Sequence, residues 1–381
     1  MMSKAKKRSR TRRAATSLVH QPRRRQDWNG LSAREILALY PACKTPPHDV
    51  LDVLLALFNK QHTAKHKEVS FKTREERAEF LHRFFGVLES ELAFIPPPDP
   101  RNVGERHIKA SVKYWQAQGL APATIQTYLS FLRGFANWIG KPGLVRLPQY
   151  YGLQPEEYQR HEAAQRDKSW SAQGIDIDGL IGEICRFDPH VGAAMRLVRA
   201  LGLRRKEAVM FRPHLCVVAF EATGLPLHKR TADRYARIKA GSKGGRERFV
   251  ALDTPERIAA IAHAQTVVAT NDGHMGHPAH SLQQALRRFN YVLEKFGVTQ
   301  NALGVTAHGL RHEVLIERYE AMTGQAAPVR GGGKLPQEID APARREVAAL
   351  AGHSRKRASN AYLGGVIARR RKQGDAPPTE K

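Results

Sequence analysis

Toward the C-terminal end of this 381-residue chain, His308-Gly309-Leu310-Arg311-His312 is followed by Leu350-Ala351-Gly352-His353 and, nine residues after that last histidine, by Tyr362. Cations and imidazoles in this density suit the gripping of a phosphodiester, and a phenol suits attack on it. Two upstream stretches add to the set. Leu201-Gly202-Leu203-Arg204-Arg205-Lys206-Glu207 offers a second arginine, and Ser242-Lys243-Gly244-Gly245-Arg246-Glu247-Arg248 puts a lysine in a glycine-rich hairpin turn. Attack on a phosphodiester builds negative charge on its nonbridging oxygens, so fixed donors aimed at them are the main requirement. Arginine's planar fork stays protonated and makes two charge-assisted bonds at once, so two arginines from separate blocks can clamp one phosphate. Arg204 and Arg311 fit that role, with Arg205 a competitor for the first, since spacing does not say which of the adjacent pair points inward. His308 and Arg311 lie three apart and share a helix face. His312 falls at the edge of that face or beneath it, where packing suits it as well as direct chemistry does. Glu207 has the spacing to orient a catalytic group; a solvent-facing carboxylate is the plain alternative.

Tyr362 is the candidate nucleophile. A free phenol ionises near pH 10, so only about one in a thousand is charged at pH 7, and forming the anion costs roughly 4 kcal/mol. Surrounding cations must supply much of that. His308 or His353 can accept the proton or donate to the phosphate. Nine residues at about 100° each turn through about 900°, so His353 and Tyr362 would face opposite sides of one straight helix. The spacing therefore predicts a break around Gly352-His353-Ser354, with Tyr362 on a separate short helix.

The elements that must position these residues form an α+β arrangement. Residues 1–28 read as a disordered basic arm. Between about 30 and 95, apolar residues recur at helical spacing, most clearly Phe80, Leu81, Phe84, Phe85, Leu88 and Leu92, with Thr73 and Glu76 as a capping box. The run Pro96-Pro97-Pro98-Asp99-Pro100 reads as a linker closing a 29–100 helical region. A second helical unit, 101–166, has its clearest helix beginning at Pro122, with Ile125, Tyr128, Leu129, Leu132, Phe135, Ala136 and Ile139 on one stripe and Gly140 as the stop. Its other face carries Gln126, Ser130, Arg133 and Asn137. From 167 to 365, a helix near 190–201 ends at Gly202. Strands are expected at 215–220, 237–239 and 249–252, the last two joined by the 241–245 turn. Helices follow near 254–268, 281–296, 307–323, 341–352 and 355–363. Helices segregated from a small antiparallel sheet suit α+β rather than a doubly wound fold. Residues 366–381 read as a basic tail.

Composition points the same way. Lys and Arg number 62 against 36 Asp and Glu, a formal charge of +26. A surplus that large calls for a polyanionic partner, for which nucleic acid is the commonest candidate. The first 25 residues hold ten of the cations and no acid, and removing them still leaves +16, so the folded part is basic as well. With 41% hydrophobic residues and no long apolar run, no transmembrane helix is expected, and the basic N-terminus lacks the apolar stretch of a secretory signal. Cys43, Cys185 and Cys216 are too few and scattered for a disulfide framework or zinc cluster, which suits a reducing cytoplasm. Arg330-Gly331-Gly332-Gly333-Lys334 lacks the spacing and Ser/Thr of a P-loop and reads as a flexible loop. His62 and His66, without acidic or cysteine partners nearby, read as surface residues rather than zinc ligands. No metal or cofactor is expected.

In these four blocks and their order, over roughly residues 105–365, the chain resembles the tyrosine recombinase, or phage integrase, family. The resemblance assigns the first arginine role to the residue after Gly-Leu, Arg204, and makes Lys243 the general acid that protonates the departing 5′ oxygen. It implies catalysis by Arg204, Lys243, His308, Arg311, His353 and Tyr362, supported by Glu207 and His312, through a 3′-phosphotyrosyl linkage that needs neither ATP nor metal for rejoining. It also implies that the 101–166 domain clamps double-stranded DNA, with Arg133, Arg205, Arg246 and Arg248 as DNA-contacting cations. Four protomers on two sites are expected, a monomer or weak oligomer without DNA, and a cytoplasmic, nucleoid-associated location. Type IB topoisomerases use similar chemistry without partner exchange, and a silent DNA-binding protein could keep the fold. Against the silent protein, all six positions hold competent residues. Against the topoisomerase, a small helical domain precedes a compact catalytic one.

Overall fold

The computed structural model describes residues 28–42, 44–63 and 67–365. The expected basic arm, apart from Trp28, the tail 366–381, Cys43 and His66 lie outside the described residues. Two compact units meet in the sequence at Arg160 and His161.

In the first unit, among the described residues, the helices are α1 (Ala33–Ala38), α2 (Pro47–Phe58), α3 (Phe71–Ser90), α4 (Glu105–Ala117), α5 (Pro122–Trp138) and α6 (Pro155–Tyr158). α5 starts at Pro122 and buries Ile125, Leu129, Leu132, Phe135 and Ala136, the stripe its periodicity predicts. α3 differs at its start. Ser70, in extended conformation, is the N-cap and accepts from the Thr73 amide, so Thr73 is already inside the first turn and the Thr73–Glu76 capping box does not form. The stretches on either side of Pro96–Pro100 share one core. Leu54 of α2 and Phe80, Leu81 and Phe85 of α3 pack with Ile108, Trp115, Leu129 and Phe135. Each of these helices is apolar on one stripe only, so they bury their stripes against each other.

The second unit holds α7 (Ile177–Phe187), α8 (Pro189–Leu201), α9 (Arg205–Met210), β1 (Val217–Ala219), β2 (Arg234–Ile238), β3 (Arg248–Ala251), α10 (Pro255–Val267), α11 (Leu282–Lys295), α12 (Ala307–Thr323), α13 (Gln337–Leu350) and α14 (Asn360–Leu363). The sheet is antiparallel in the order β1-β2-β3, with Ala236 paired to Val217 on one side and Val250 on the other. β2 starts three residues earlier than expected because Arg234 to Ala236 pair with β1, while Tyr235, Ala236 and Ile238 are buried. A Trp170–Leu363 core fills the unit, with α8 and α12 contributing many of its buried side chains.

The predicted break occurs. α13 ends at Leu350, and Gly352 takes a left-handed φ of 70°. The Gly352 and His353 amides then turn back to the Ala349 and Ala348 carbonyls, both at 2.8 Å, a C-terminal cap that needs glycine at the left-handed position. A 3-10 turn at Lys356–Ser359 leads into α14, so Tyr362 sits on its own short helix. The glycine-rich 330–334 stretch is anchored, against the flexible loop expected of it. Arg330 reaches Asp167, Glu313 and Glu320 at 2.8, 3.0 and 2.8 Å, and a side chain with three carboxylates around it fixes the backbone that bears it. Among the described residues no helix is long and apolar enough to cross a membrane.

Candidate active site

The site is assembled around Glu207. This carboxylate, 1% exposed, lies in the first turn of α9. Its oxygens accept from the Arg204 backbone amide at 2.8 Å and Arg204 Nη1 at 2.7 Å, and from Arg248 Nη1 and Nη2 at 2.9 and 2.7 Å. Arg311 Nη1 stands 3.7 Å away. Burial alone would raise the Glu207 pKa, but the hydrogen bonds and charge of Arg248, then Arg204, outweigh it and bring it down to about 2. One buried anion thus holds three guanidinium groups together. Each would repel the others without it.

Arg204 and Arg311 meet at a single acceptor. Arg204 Nη2 donates to the Ala351 carbonyl at 2.9 Å, and Arg311 Nη2 donates to the same oxygen at 2.5 Å. Arg311 is fully buried; it also donates to the Gly202 carbonyl and, through Nε, to the Tyr362 hydroxyl at 3.2 Å. Arg204 keeps partial exposure and has His353 Nε2 3.3 Å from its Nη2. Around Tyr362 the His308 and His312 rings have centroids 6.1 and 4.9 Å away. His308 is exposed on one side, yet desolvation first, then Arg311, Arg204 and Lys168, push its pKa down to about 4. The more buried His312 is pushed to about 3 by burial and then by His308. Desolvation, Arg204 and Arg311, followed by Lys243 and Arg246, lower that of His353. All three imidazoles are therefore neutral at pH 7, able to accept a proton or donate one N–H.

The remaining sequence candidates separate. Lys243 is exposed on the β2–β3 turn, close enough for its charge to act on His353. Arg246, on the same turn, is exposed and donates to the Ser354 hydroxyl at 2.9 Å. Arg205 points away from the site, to Asn290 at 2.5 Å, while its neighbour Arg204 points in. Arg248 departs from its expected place on the DNA surface: as the first residue of β3 it faces inward and is buried on Glu207. Alternation along the strand turns Glu247 out to Arg237 and Arg248 in. Arg133, in the first unit, is half-buried and donates to the Arg146 carbonyl at 3.1 Å.

Other positioning residues gave little sequence signal. A Cβ at Gly309 would lie 2.5 Å from the Lys168 carbonyl and 2.9 Å from the Trp170 ring, so the first turn of α12 can dock there only without a side chain. Trp170 Nε1 donates to the Thr306 carbonyl at 2.9 Å, and Glu313 accepts from the Ser171 amide and hydroxyl at 2.9 and 2.6 Å. Arg344 holds both ends of α14, at Asn360 Oδ1 and the Gly364 carbonyl, 2.9 and 3.2 Å away. A Gly between two charged blocks, or an Arg in a helix, looks ordinary in a sequence. Only Trp170, a large apolar side chain just before the catalytic blocks, offered a hint. Among the described residues no group of three or more His, Cys, Asp or Glu side chains could hold a metal ion.

Two family models match the chain, one described as Integrase over residues 168–317 and one as Phage integrase, N-terminal, over 58–145. A lambda integrase tetramer bound to a Holliday junction is similar in structure, with 13% identity and a TM-score of 0.50, covering 88% of this chain and 79% of that one. The XerH site-specific recombinase bound to its difH substrate gives 15% identity and 0.49, covering 89% and 86%. The Tn1549 transposon integrase in complex with transposon right end DNA gives 15% and 0.48, covering 85% and 98%. Among curated proteins none matches. The likeness to the lambda integrase tetramer shows the fold, and the two family models match one stretch in each compact unit. The chain belongs to the tyrosine recombinase, or phage integrase, family, and its activity is the cutting and rejoining of DNA strands.

Proposed function

We propose that the chain is a site-specific recombinase whose catalytic set is Arg204, Lys243, His308, Arg311, His353 and Tyr362. The Tyr362 oxygen attacks the scissile phosphorus, a 3′-phosphotyrosyl bond forms and the bond to the 5′ oxygen breaks. Arg204 and Arg311 bind the nonbridging oxygens where charge grows. Neutral His308 takes the phenolic proton, His353 donates to the phosphate, and Lys243 protonates the departing 5′ oxygen. Glu207 and Arg248 keep the two arginines aimed, and His312 packs beneath Tyr362. The bond energy stays in the phosphotyrosyl ester, so rejoining reverses the same steps.

The observation that carries this reading is the meeting of residues 204, 311, 351 and 362: two guanidiniums on one carbonyl, and one of them 3.2 Å from the phenol. The helical region 29–160 grips duplex DNA, with Arg133 on the backbone, and residues 161–365 cut it, with Arg205 and Arg246 as further backbone contacts. The similar lambda integrase is a tetramer on a Holliday junction, which supports four protomers on two sites here. A cell compartment that holds DNA, a nucleoid in the cytoplasm, suits the three scattered cysteines. Nicked suicide duplexes drawn from DNA flanking its gene test the chemistry. A covalent adduct formed by the wild type and lost in Tyr362→Phe supports the reading, as does strand exchange between two sites; adducts that persist in Tyr362→Phe overturn it.

A further inference from the structure

Residues Asp167–Ser171 lie against the N-terminal half of α12, and four of the five are fixed there. Asp167 accepts from Arg330 Nε at 2.8 Å. The Ser169 hydroxyl donates to Asp167 at 2.6 Å and accepts from Arg330 Nη2 at 3.1 Å. Trp170 bonds the Thr306 carbonyl, and Ser171 bonds Glu313. Between them the Lys168 backbone abuts Gly309, the residue after His308.

Lys168 alone in this strap is left outward. Its side chain is exposed and has no carboxylate partner among the described residues. Its charge nonetheless acts on both His308 and His312, as that of Lys243 does on His353. An exposed cation on a backbone pinned against the residue after His308, with no carboxylate on it among the described residues, is poised for an anion from outside.

We propose that Lys168 is a second DNA-contacting lysine of the active site, gripping a backbone phosphate at the His308 edge as Lys243 serves the His353 edge. This rests on the catalytic reading above. It adds a contact that the four motif blocks do not contain, carried by the strap that anchors α12.

The test uses the full chain as wild type, Lys168→Gln, Lys168→Arg and Tyr362→Phe. Adduct formation is followed in single turnover on a nicked suicide duplex that the wild type cleaves, and binding of the same labelled duplex is measured across NaCl concentrations. Lys168→Gln should slow adduct formation roughly 10- to 100-fold, as for one lost charge-assisted hydrogen bond. It should also reduce the slope of log affinity against log salt by about 1. Lys168→Arg should restore both, and the unfolding midpoint should stay within about 2 °C of wild type. An unchanged rate and slope in Lys168→Gln, with Tyr362→Phe inert, overturns this proposal and leaves the catalytic reading standing. A slowed rate with an unchanged slope and no rescue by arginine also overturns it, as a folding effect. An adduct in Tyr362→Phe overturns the catalytic reading itself.

Discussion

Among the described residues, Arg77 is the most deeply buried arginine of the first unit and Arg311 of the second, and the two are opposites. In the first, Arg77 donates to Asn59 Oδ1 at 2.7 Å and to the Asn59 and Gln61 carbonyls at 2.5 and 3.1 Å, and its guanidinium lies 4.7 Å from the Trp138 ring. Among the described residues no second cation shares its partners, and desolvation lowers its pKa to about 10. In the second, Arg311 also donates to two carbonyls, but it shares one with Arg204, stands near Glu207 and Arg248, and donates its Nε–H to a phenol. Burial and hydrogen bonding of an arginine therefore do not mark a site. What marks it is like charge brought together, which costs stability unless a buried anion and, in use, a bound phosphate offset it.

The sharpest way to break that contrast is to remove each arginine. Arg311→Ala should cut adduct formation by about 100- to 1000-fold or more, the loss expected for one donor to a developing oxyanion. Arg77→Ala should leave the cleavage rate per folded molecule unchanged while costing roughly 1–3 kcal/mol for each buried acceptor left unpaired, read from urea unfolding. A folded but inactive Arg77→Ala would erase the distinction.

Next in size is Glu207→Gln. With the anion gone, three guanidiniums face one another, and unfolding free energy should fall by about 3–5 kcal/mol. The pH dependence sharpens this. Glu207 has a folded pKa of about 2, below its ordinary 4.5, so its contribution is complete above pH 4.5 and is lost as the pH falls toward 2. The wild-type unfolding midpoint should drop through that window, and the Glu207→Gln midpoint should drop less. A parallel fall in both proteins would remove Glu207 from the account.

A smaller effect concerns His308, held neutral down to about pH 4. If it accepts the Tyr362 proton, the adduct rate in the free enzyme stays level from pH 7 to about 5 and declines as the pH passes through about 4. A decline centred at 6.5 would mean an imidazole with ordinary solvation. The smallest expected change in DNA binding separates Arg246 of the β2–β3 turn from Arg248, the first residue of β3. Arg246→Ala should lower the salt slope of DNA binding by about 1 with no change in unfolding midpoint. Arg248→Ala should do the reverse, destabilising the protein with little effect on the slope.

Much of the catalytic unit was legible in the residues. Gly202 marked the end of α8 and the angular count between His353 and Tyr362 required the break at Gly352, while in the first unit periodicity and the Gly140 stop marked α5. α13 begins at Gln337, four residues before the expected 341, and carries Pro342 in its second turn. These features were readable because torsion preference, cap geometry and helical period act over a few residues. The sequence alone also determined the chemical class, because only certain residue types can clamp a phosphodiester and attack it. Tertiary structure decided the rest. It turned Arg204 inward and Arg205 outward, buried Arg248 on Glu207, joined the stretches on both sides of Pro96–Pro100 into one core, and set Arg330 against Asp167 across 163 residues. Such partners are chosen by where whole elements come to rest against each other, and a buried charge accepts whichever counterion that packing brings within reach. No local pattern carries that information.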